Sequence, residues 1–437
     1  MPPGFATIWT TVALDLVGFG IVLPILPLYA RELDASPATI GALVASFSLM
    51  QLLCSPLWGR ASDRWGRKPV LIVSLVGTAL GSLLTGLAGS LGLLFAARLL
   101  DGVSGSSVSV AQAAVTDVAH PEERARLLGL LGAAFGVGFV IGPALGALAS
   151  IGGPRLPFLL AAAIAATNAL VAIRRLPETN RGVRRRSPAT AGGPSPIPTG
   201  ATAAGTDAQG EPVGLDLDLD DPRPPGWAGV PARAASTPGE GSGLLRFVIV
   251  AFSSLVAFSA FEATFSLLGD DRFDLTVGRI GVLFAAIGVV LVMVQGGLIH
   301  PVVSRLGEVV TLRAGLGLNV VGLALLSLAS TWPQLVLALL LLVSGQGFVT
   351  PTLSSIVAGR ARADRRGTAL GFQQSAGGLA RVVGPILGGA LFQHVSPGAP
   401  SIVGAALTGA AVLLTLPDQV AEPAGRRRLR EGIAAES

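Results

Sequence analysis

Twelve stretches of this chain run for roughly 18 residues or more with very few charged side chains, long enough for a helix to cross the hydrocarbon core of a bilayer. The pattern predicts helices over 7–30, 39–58, 69–89, 91–117, 125–149 and 155–175. A second set is predicted over 244–268, 278–301, 310–329, 332–358, 367–393 and 397–416. Only 13% of the 437 residues are charged, against about 25% in a soluble domain, too few to coat a soluble surface of this size. The 58 glycines would weaken helices in water. In lipid, small residues let helix backbones approach closely. A membrane barrel needs alternating strands of about ten residues, and the runs here are continuous. The expected fold class is all-α integral membrane, with twelve transmembrane helices. No basic segment precedes the first apolar run, which is therefore expected to be a retained helix and not a cleaved signal.

The net charge of +5 would suggest nucleic-acid binding in a soluble protein. Here the basic residues collect in one set of loops, and no nucleic-acid partner is expected. With a cytoplasmic amino terminus, the cytoplasmic loops and tail hold 25 of the 31 Lys and Arg residues. The outer loops hold Arg31, Arg155, Arg272 and Arg279, and Arg98 and Arg381 lie inside apolar runs. This bias places both termini on the cytoplasmic side of the cell membrane.

Residues 1–175 make an N-terminal six-helix bundle, 244–416 a C-terminal one, and 417–437 a cytoplasmic tail. Between the bundles, 176–243 opens with Arg181, Arg184, Arg185 and Arg186 and continues in Pro, Gly, Ala, Ser and Thr. An acidic patch follows at Asp216, Asp218, Asp220 and Asp221. Such a composition cannot bury a core, so a disordered cytoplasmic linker is expected. The halves repeat. Arg124, Gly129, Gly136, Gly142-Pro143 and Gly146 return 242 positions later as Arg366, Gly371, Gly378, Gly384-Pro385 and Gly388. Arg64-Trp65-Gly66 is echoed by Arg305-Leu306-Gly307. Two parallel six-helix repeats around a central cavity are the layout of transporters that rock two halves about a shared site.

Cys54 is alone, which excludes an intrachain disulfide, and His120, His300 and His394 match no metal-ligand spacing. No nucleophile with a base stands at membrane depth, so an enzyme is not expected. No phosphate-binding loop is present to hydrolyse a nucleotide. No cofactor or metal is expected, and a proton gradient is the expected energy source.

The segment Gly59-Arg60-Ala61-Ser62-Asp63-Arg64-Trp65-Gly66-Arg67-Lys68 follows the second run. It resembles G-x-x-x-D-R-x-G-R-K, the signature of the major facilitator superfamily between helices 2 and 3. Gly59 and Gly66 suit a tight turn and close helix approach, and Asp63 suits a helix N-terminus. The resemblance implies a conformational latch of Gly59, Asp63, Arg64, Gly66, Arg67 and Lys68. In it Asp63 meets the start of helix 11 and Arg67 pairs with Asp117. A basic loop that only sets topology is the competing reading. The second-half copy is degenerate, with Ser304 in place of Asp63.

Gly138, Gly142, Pro143 and Gly146 on the fifth run are similar to the antiporter motif G-x-x-x-G-P-x-x-G-G, with Ala147 in place of the last glycine. Gly384, Pro385 and Gly388 repeat it on the eleventh. Gly-Pro pairs also kink membrane helices of any kind. Within the family this motif implies an exporter, of the twelve-helix drug:proton antiporter group that includes tetracycline and multidrug exporters. Leu14-Asp15-Leu16 with Pro24 and Pro27 looks like the first helix of those exporters.

Ionisable residues at membrane depth are functional candidates. Asp15, Arg98, Asp101 and Glu262 are the expected proton-coupling set, with Arg98 the cation expected to answer Asp15. Arg98 and Asp101 share a helix face, so a self-contained structural ion pair is the alternative. The substrate cavity is expected to use Phe19, Gln112, Phe135, Phe139 and Asn168 from the first half. From the second it is expected to use Phe258, Phe261, Gln346, Gln373, Gln374 and Arg381. The function expected is proton-coupled export of an amphipathic drug-like molecule by alternating access. A proton symporter or exporter of a sugar or other polar metabolite is the alternative. The expected partners are the small-molecule substrate, protons and the lipid bilayer, and the chain is expected to act as a monomer.

Overall fold

The computed structural model describes residues 4–120, 123–180, 240–361 and 366–416. Every regular element among them is helical. The first half holds α1 (Phe5–Arg31), α2 (Pro37–Trp65), α3 (Arg67–Leu87), α4 (Leu91–Val118), α5 (Arg124–Ser150) and α6 (Leu156–Arg175). The second holds α7 (Glu240–Phe273), α8 (Val277–Leu306), α9 (Glu308–Leu328), α10 (Trp332–Arg360), α11 (Arg366–His394) and α12 (Ala399–Thr415). Eleven of these are long and apolar enough to cross a membrane, and α12 is an apolar helix of 17 residues.

Two helices are irregular. α4 breaks at Gly105–Ser106 between helical stretches Leu91–Ser104 and Ser107–Val118. α8 contains a π turn at Val294–Leu298. Short turns join neighbours. Ser36 caps α2, its hydroxyl accepting from the Thr39 backbone N–H at 3.3 Å, with Pro37 at the first helical position. Gly66 alone links α2 to α3, at φ 106, a conformation costly for any residue with a Cβ.

The expected boundaries change most at charged segments. The second helix does not stop near residue 58. It continues to Trp65, so Gly59–Trp65 is helix and the signature's loop is only Gly66. Charge ends an apolar run without ending the helix, because the backbone pattern holds beyond the lipid. Gly59 accordingly has open space around it, and the close approach expected there is absent.

The two halves pack in corresponding ways. α1 lies on α5 and α6, and α3 on α4 and α6. In the second half α7 lies on α11 and α12, and α9 on α10 and α12. The seams between halves are α2 against α11 and α5 against α8, again a corresponding pair. Backbones touch at both. A Cβ on Gly41 would lie 2.2 Å from the Pro385 carbonyl oxygen, and one on Gly281 would lie 2.9 Å from that of Pro143.

The core is continuous across the halves at only one end. Ile21, Ile25, Ile40, Leu43 and Phe158 of the first half cluster with Phe261, Phe265, Phe284, Leu335 and Leu342 of the second. This end carries the α1–α2 turn and is called the far face below. Toward the face that bears Phe5, the core splits. Phe5, Ile8, Leu71, Leu75 and Val115 form one cluster, and Phe247, Val250, Leu312 and Leu353 another. The halves are joined at the far face and separate toward the N-terminal face.

The start of the predicted linker is ordered against the first half, contrary to expectation. Leu176 and Thr179 are buried. Glu178 accepts from the backbone N–H groups of Arg67 (2.9 Å) and Lys68 (3.1 Å), satisfying the α3 N-terminus. The Asn180 side chain donates to the Asp63 carbonyl at 3.0 Å. Residues 181–239, including Arg181, Arg184, Arg185, Arg186 and the acidic patch, lie outside the described residues, as does the tail from 417.

Candidate functional site

The break in α4 organises the first-half site. Non-helical backbone at membrane depth frees carbonyls that must find donors inside the protein. The Trp58 indole N–H donates to the Val103 carbonyl at 2.5 Å. The Ser74 hydroxyl donates to the Ser104 carbonyl, and the Gln51 amide to that of Gly105. The second stretch of α4 then begins at Ser107, whose hydroxyl donates to Oδ2 of Asp15 on α1. Oδ1 of Asp15 is buried and makes no hydrogen bond within the protein.

One to two turns before the break, Arg98 Nη1 lies 2.6 Å from Asp101 Oδ2. These side chains are 5% and 8% exposed. Phe47 stacks beneath the guanidinium, 4.5 Å from ring centroid to its central carbon. Arg98 therefore turns to Asp101 and not to Asp15, correcting the pairing expected from sequence. At i and i+3 on one helix, Asp101 is reached without crossing to another element. The geometry is that of a self-contained pair.

In the second half Glu262 on α7 is partly buried and feels the charge of Arg381 on α11, which is exposed. The two helices meet closely here: a Cβ on Gly384 would lie 2.7 Å from the Val256 carbonyl oxygen. The corresponding approach in the first half joins α1 and α5, where Gly20 faces Gly138 and Gly142. A Cβ on Gly20 would come within 2.4 Å of the Gly138 carbonyl oxygen. Gly146 packs on Ile21 and Ile25 of α1, and Gly388 on Ala260 of α7. Pro143 and Pro385 sit in the seams. The antiporter-like glycines thus serve as contact surfaces.

The expected cavity residues divide. Gln112, Phe135, Gln374 and Arg381 are exposed, and Phe19, Phe139, Phe258 and Gln373 are partly so. Phe19 lies 5.7 Å from Phe47 between centroids. Gln373 donates to the Ser354 hydroxyl at 3.2 Å, tying α11 to α10. Three others are packing residues, a correction. Asn168 is 1% exposed and donates to the Thr11 carbonyl at 2.8 Å, fixing α6 to α1. Gln346 is buried, accepting from Asn319 and donating to Thr350, each at 3.1 Å. Phe261 lies in the shared core between Phe258 and Phe265. A polar or aromatic side chain in an apolar run does not say which side of the helix it faces: Gln112, Phe135 and Gln374 are exposed while Asn168 and Gln346 are buried.

At the N-terminal face, Arg67 donates to Asp117 at 2.9 Å, to Asp63 at 2.6 Å and to Ser62 at 2.6 Å. Arg64 and Lys68 flank this cluster. The Asp63 side chain is two-thirds exposed. The expected meeting of Asp63 with the start of helix 11 is not among the contacts described: its carboxylate accepts from Arg67 and its carbonyl from Asn180, both within the first half. A cavity of about 410 Å³ lies between α8, α9 and α10, lined by His300, Ser304, Glu308 and Ser355 among others, away from the buried carboxylates. Among the described residues no His, Cys, Asp and Glu cluster suits a metal ion.

Sequence reasoning missed Ser107, Glu178 and the ion pairs of Arg31. Glu178 stood inside a segment read as disordered from its bulk composition. Ser107 becomes a partner only through the α4 break, which Gly105 in a polar-small stretch could have signalled.

Comparison with known proteins agrees with this architecture. The family model described as Major Facilitator Superfamily matches residues 8–307 and 297–435. The class C tetracycline resistance protein of Escherichia coli is 31% identical over 404 residues, covering 91% of this chain and 92% of that protein. Multidrug resistance protein 2 of Bacillus subtilis is 28% identical over 393 residues, covering 89% and 88%. The crystal structure of the human organic anion transporter MFSD10 superposes with a TM-score of 0.65 at 27% identity, covering 95% of this chain and all of that one. The chain is a multi-pass membrane transporter and belongs to the Major Facilitator Superfamily.

Proposed function

We propose that this transporter exports an amphipathic drug-like molecule in exchange for protons, with its N-terminal face in the cytoplasm. The observation that carries the proposal is Asp15. One carboxylate oxygen is held by Ser107, and the other is buried with no hydrogen-bond partner and no ion pair among the described residues. An ionisable group at membrane depth is a functional candidate, and a carboxylate partnered by a hydroxyl can take up a proton in one state of the cycle and give it up in another. The tetracycline and multidrug resistance names of its relatives support the substrate class. The split core supports a cleft open at the N-terminal face, and the excess of Lys and Arg in the loops of that face supports its cytoplasmic side. Substrate would enter there, and proton loading at Asp15 would accompany its release on the far side.

A second reading, an organic anion as substrate, is favoured by the exposed cation Arg381 and by the relative solved as an organic anion transporter. The deciding experiment uses inside-out vesicles with an acidified lumen and a pH-sensitive dye. Tetracyclines, cationic dyes, aromatic carboxylates and simple sugars are added in turn. Proton release on adding a drug, abolished in Asp15→Asn at normal expression, is the expected result. Release unchanged in Asp15→Asn removes that residue from coupling. A response only to carboxylates or sugars moves the substrate class.

A further inference from the structure

The far ends of α1 and α7 are equivalent positions of the two repeats. α2 and α8 start at Pro37 and Val277, and their preceding residues Ser36 and Thr276 share extended conformations, φ −69 and −66. Two residues earlier stand Asp34 and Asp274, the non-glycine residues with positive φ among those described. Counting back from these turns, Arg31 of the first repeat corresponds to Asp271 of the second. A two-fold relation sets each residue near its axis against its own counterpart. Here the counterparts carry opposite charge. Arg31 Nη1 lies 2.6 Å from Asp270 Oδ2 and 2.7 Å from Asp271 Oδ1. The neighbouring cation, Arg272, points elsewhere, donating to the carbonyls of Ser327 and Ala329. Glu32, Asp34 and Asp274 add negative charge at this rim, and Arg155 and Arg279 lie on the same face, but the ion pairs described for Asp270 and Asp271 both run to Arg31. Arg31 is thus the cation that these two carboxylates share.

We propose that Arg31, Asp270 and Asp271 form a latch holding the halves together at the far face, which releases when the transporter opens there. This rests on the reading that the halves alternate access; the test below reads opening directly and needs no substrate. The side chains are 32%, 42% and 30% exposed, so water can take over each partner as they part. Such a pair is weak enough to break in every cycle. Beneath it the seam is buried. The Ser266 hydroxyl on α7 is fully buried and donates to the Pro24 carbonyl on α1 at 2.7 Å. One guanidinium serving two carboxylates makes either carboxylate dispensable while the other remains.

The test places a single cysteine at the seam, Ser266→Cys in a Cys54→Ser background, and measures its labelling by a membrane-impermeant maleimide. Reagent is added to intact cells and, separately, to inside-out vesicles. Arg31→Gln is expected to raise labelling from the far face about two- to fivefold, as befits an exposed ion pair. Asp270→Asn and Asp271→Asn alone are expected to have little effect. Together they are expected to match Arg31→Gln, and the triple variant to add nothing. Arg31→Lys restores most of the latch. If Arg31→Gln does not insert, the double asparagine variant carries the same test. Unchanged labelling in the double variant, or single variants as strong as the double, overturns the latch.

Discussion

The two acids of the first-half site differ in what answers them. Asp101 is matched by Arg98 within its own helix, whereas Asp15 has only a hydroxyl. The pair suits a permanent structural charge, and the lone acid suits a changing one. A carboxyl can become neutral by taking a proton, but a guanidinium cannot be deprotonated in a protein. Removing Asp101 therefore strands a buried cation, while removing Arg98 leaves a group that can neutralise itself. Asp101→Asn is expected to lower stability by about 3–5 kcal/mol, and Arg98→Met by less. Replacing both with apolar residues of similar volume is expected to recover much of the loss. Thermal unfolding of the purified variants in detergent checks the order. If Arg98→Met is the more damaging, the pair has a role that this charge argument misses.

At the element scale, helices that touch through glycine fix the spacing within each half. Gly142 faces the Gly20 backbone, where a Cβ would lie 2.7 Å from its Cα. Gly142→Ala must push α1 from α5, and overpacking of this kind costs about 1–3 kcal/mol. Gly129→Ala, on the same helix but with nothing within 4 Å of its Cβ, is expected to be neutral. Denaturation of both variants side by side gives the comparison, and equal losses would place the cost in the helix backbone. The helices themselves were legible because lipid allows few alternatives to long apolar runs. The repeat was legible from its glycines. Helix ends such as Gly59–Trp65 were not, because charge and helicity are independent once a helix leaves the lipid. Nor were the side chains facing the cavity legible, since Asn168 and Gln346 satisfy backbone and neighbour instead. The Arg67–Asp117 contact was named from the family resemblance alone, and the structure places the two at 2.9 Å.

At the scale of the whole molecule, the halves share a core at the far face and carry separate cores at the other. A shared core at one end and separate cores at the other allow the halves to rock, provided the seam can also part. Alternating access requires that it does, because in the export proposed above substrate admitted at the N-terminal face leaves by the far one. A bond across the far seam should then arrest the cycle without closing the open side. Gln393 on α11 already accepts from the Ala38 backbone N–H of α2 at 3.1 Å, so these positions adjoin. Ala38→Cys with Gln393→Cys, once oxidised to a disulfide, is expected to abolish transport and to leave substrate binding from the N-terminal face intact. Reduction is expected to restore transport. Binding measured on the oxidised protein separates this from general damage, since a distorted bundle loses both. Transport that persists at full rate with the bond formed would mean that the far seam never opens, and that the exit lies elsewhere in the bundle.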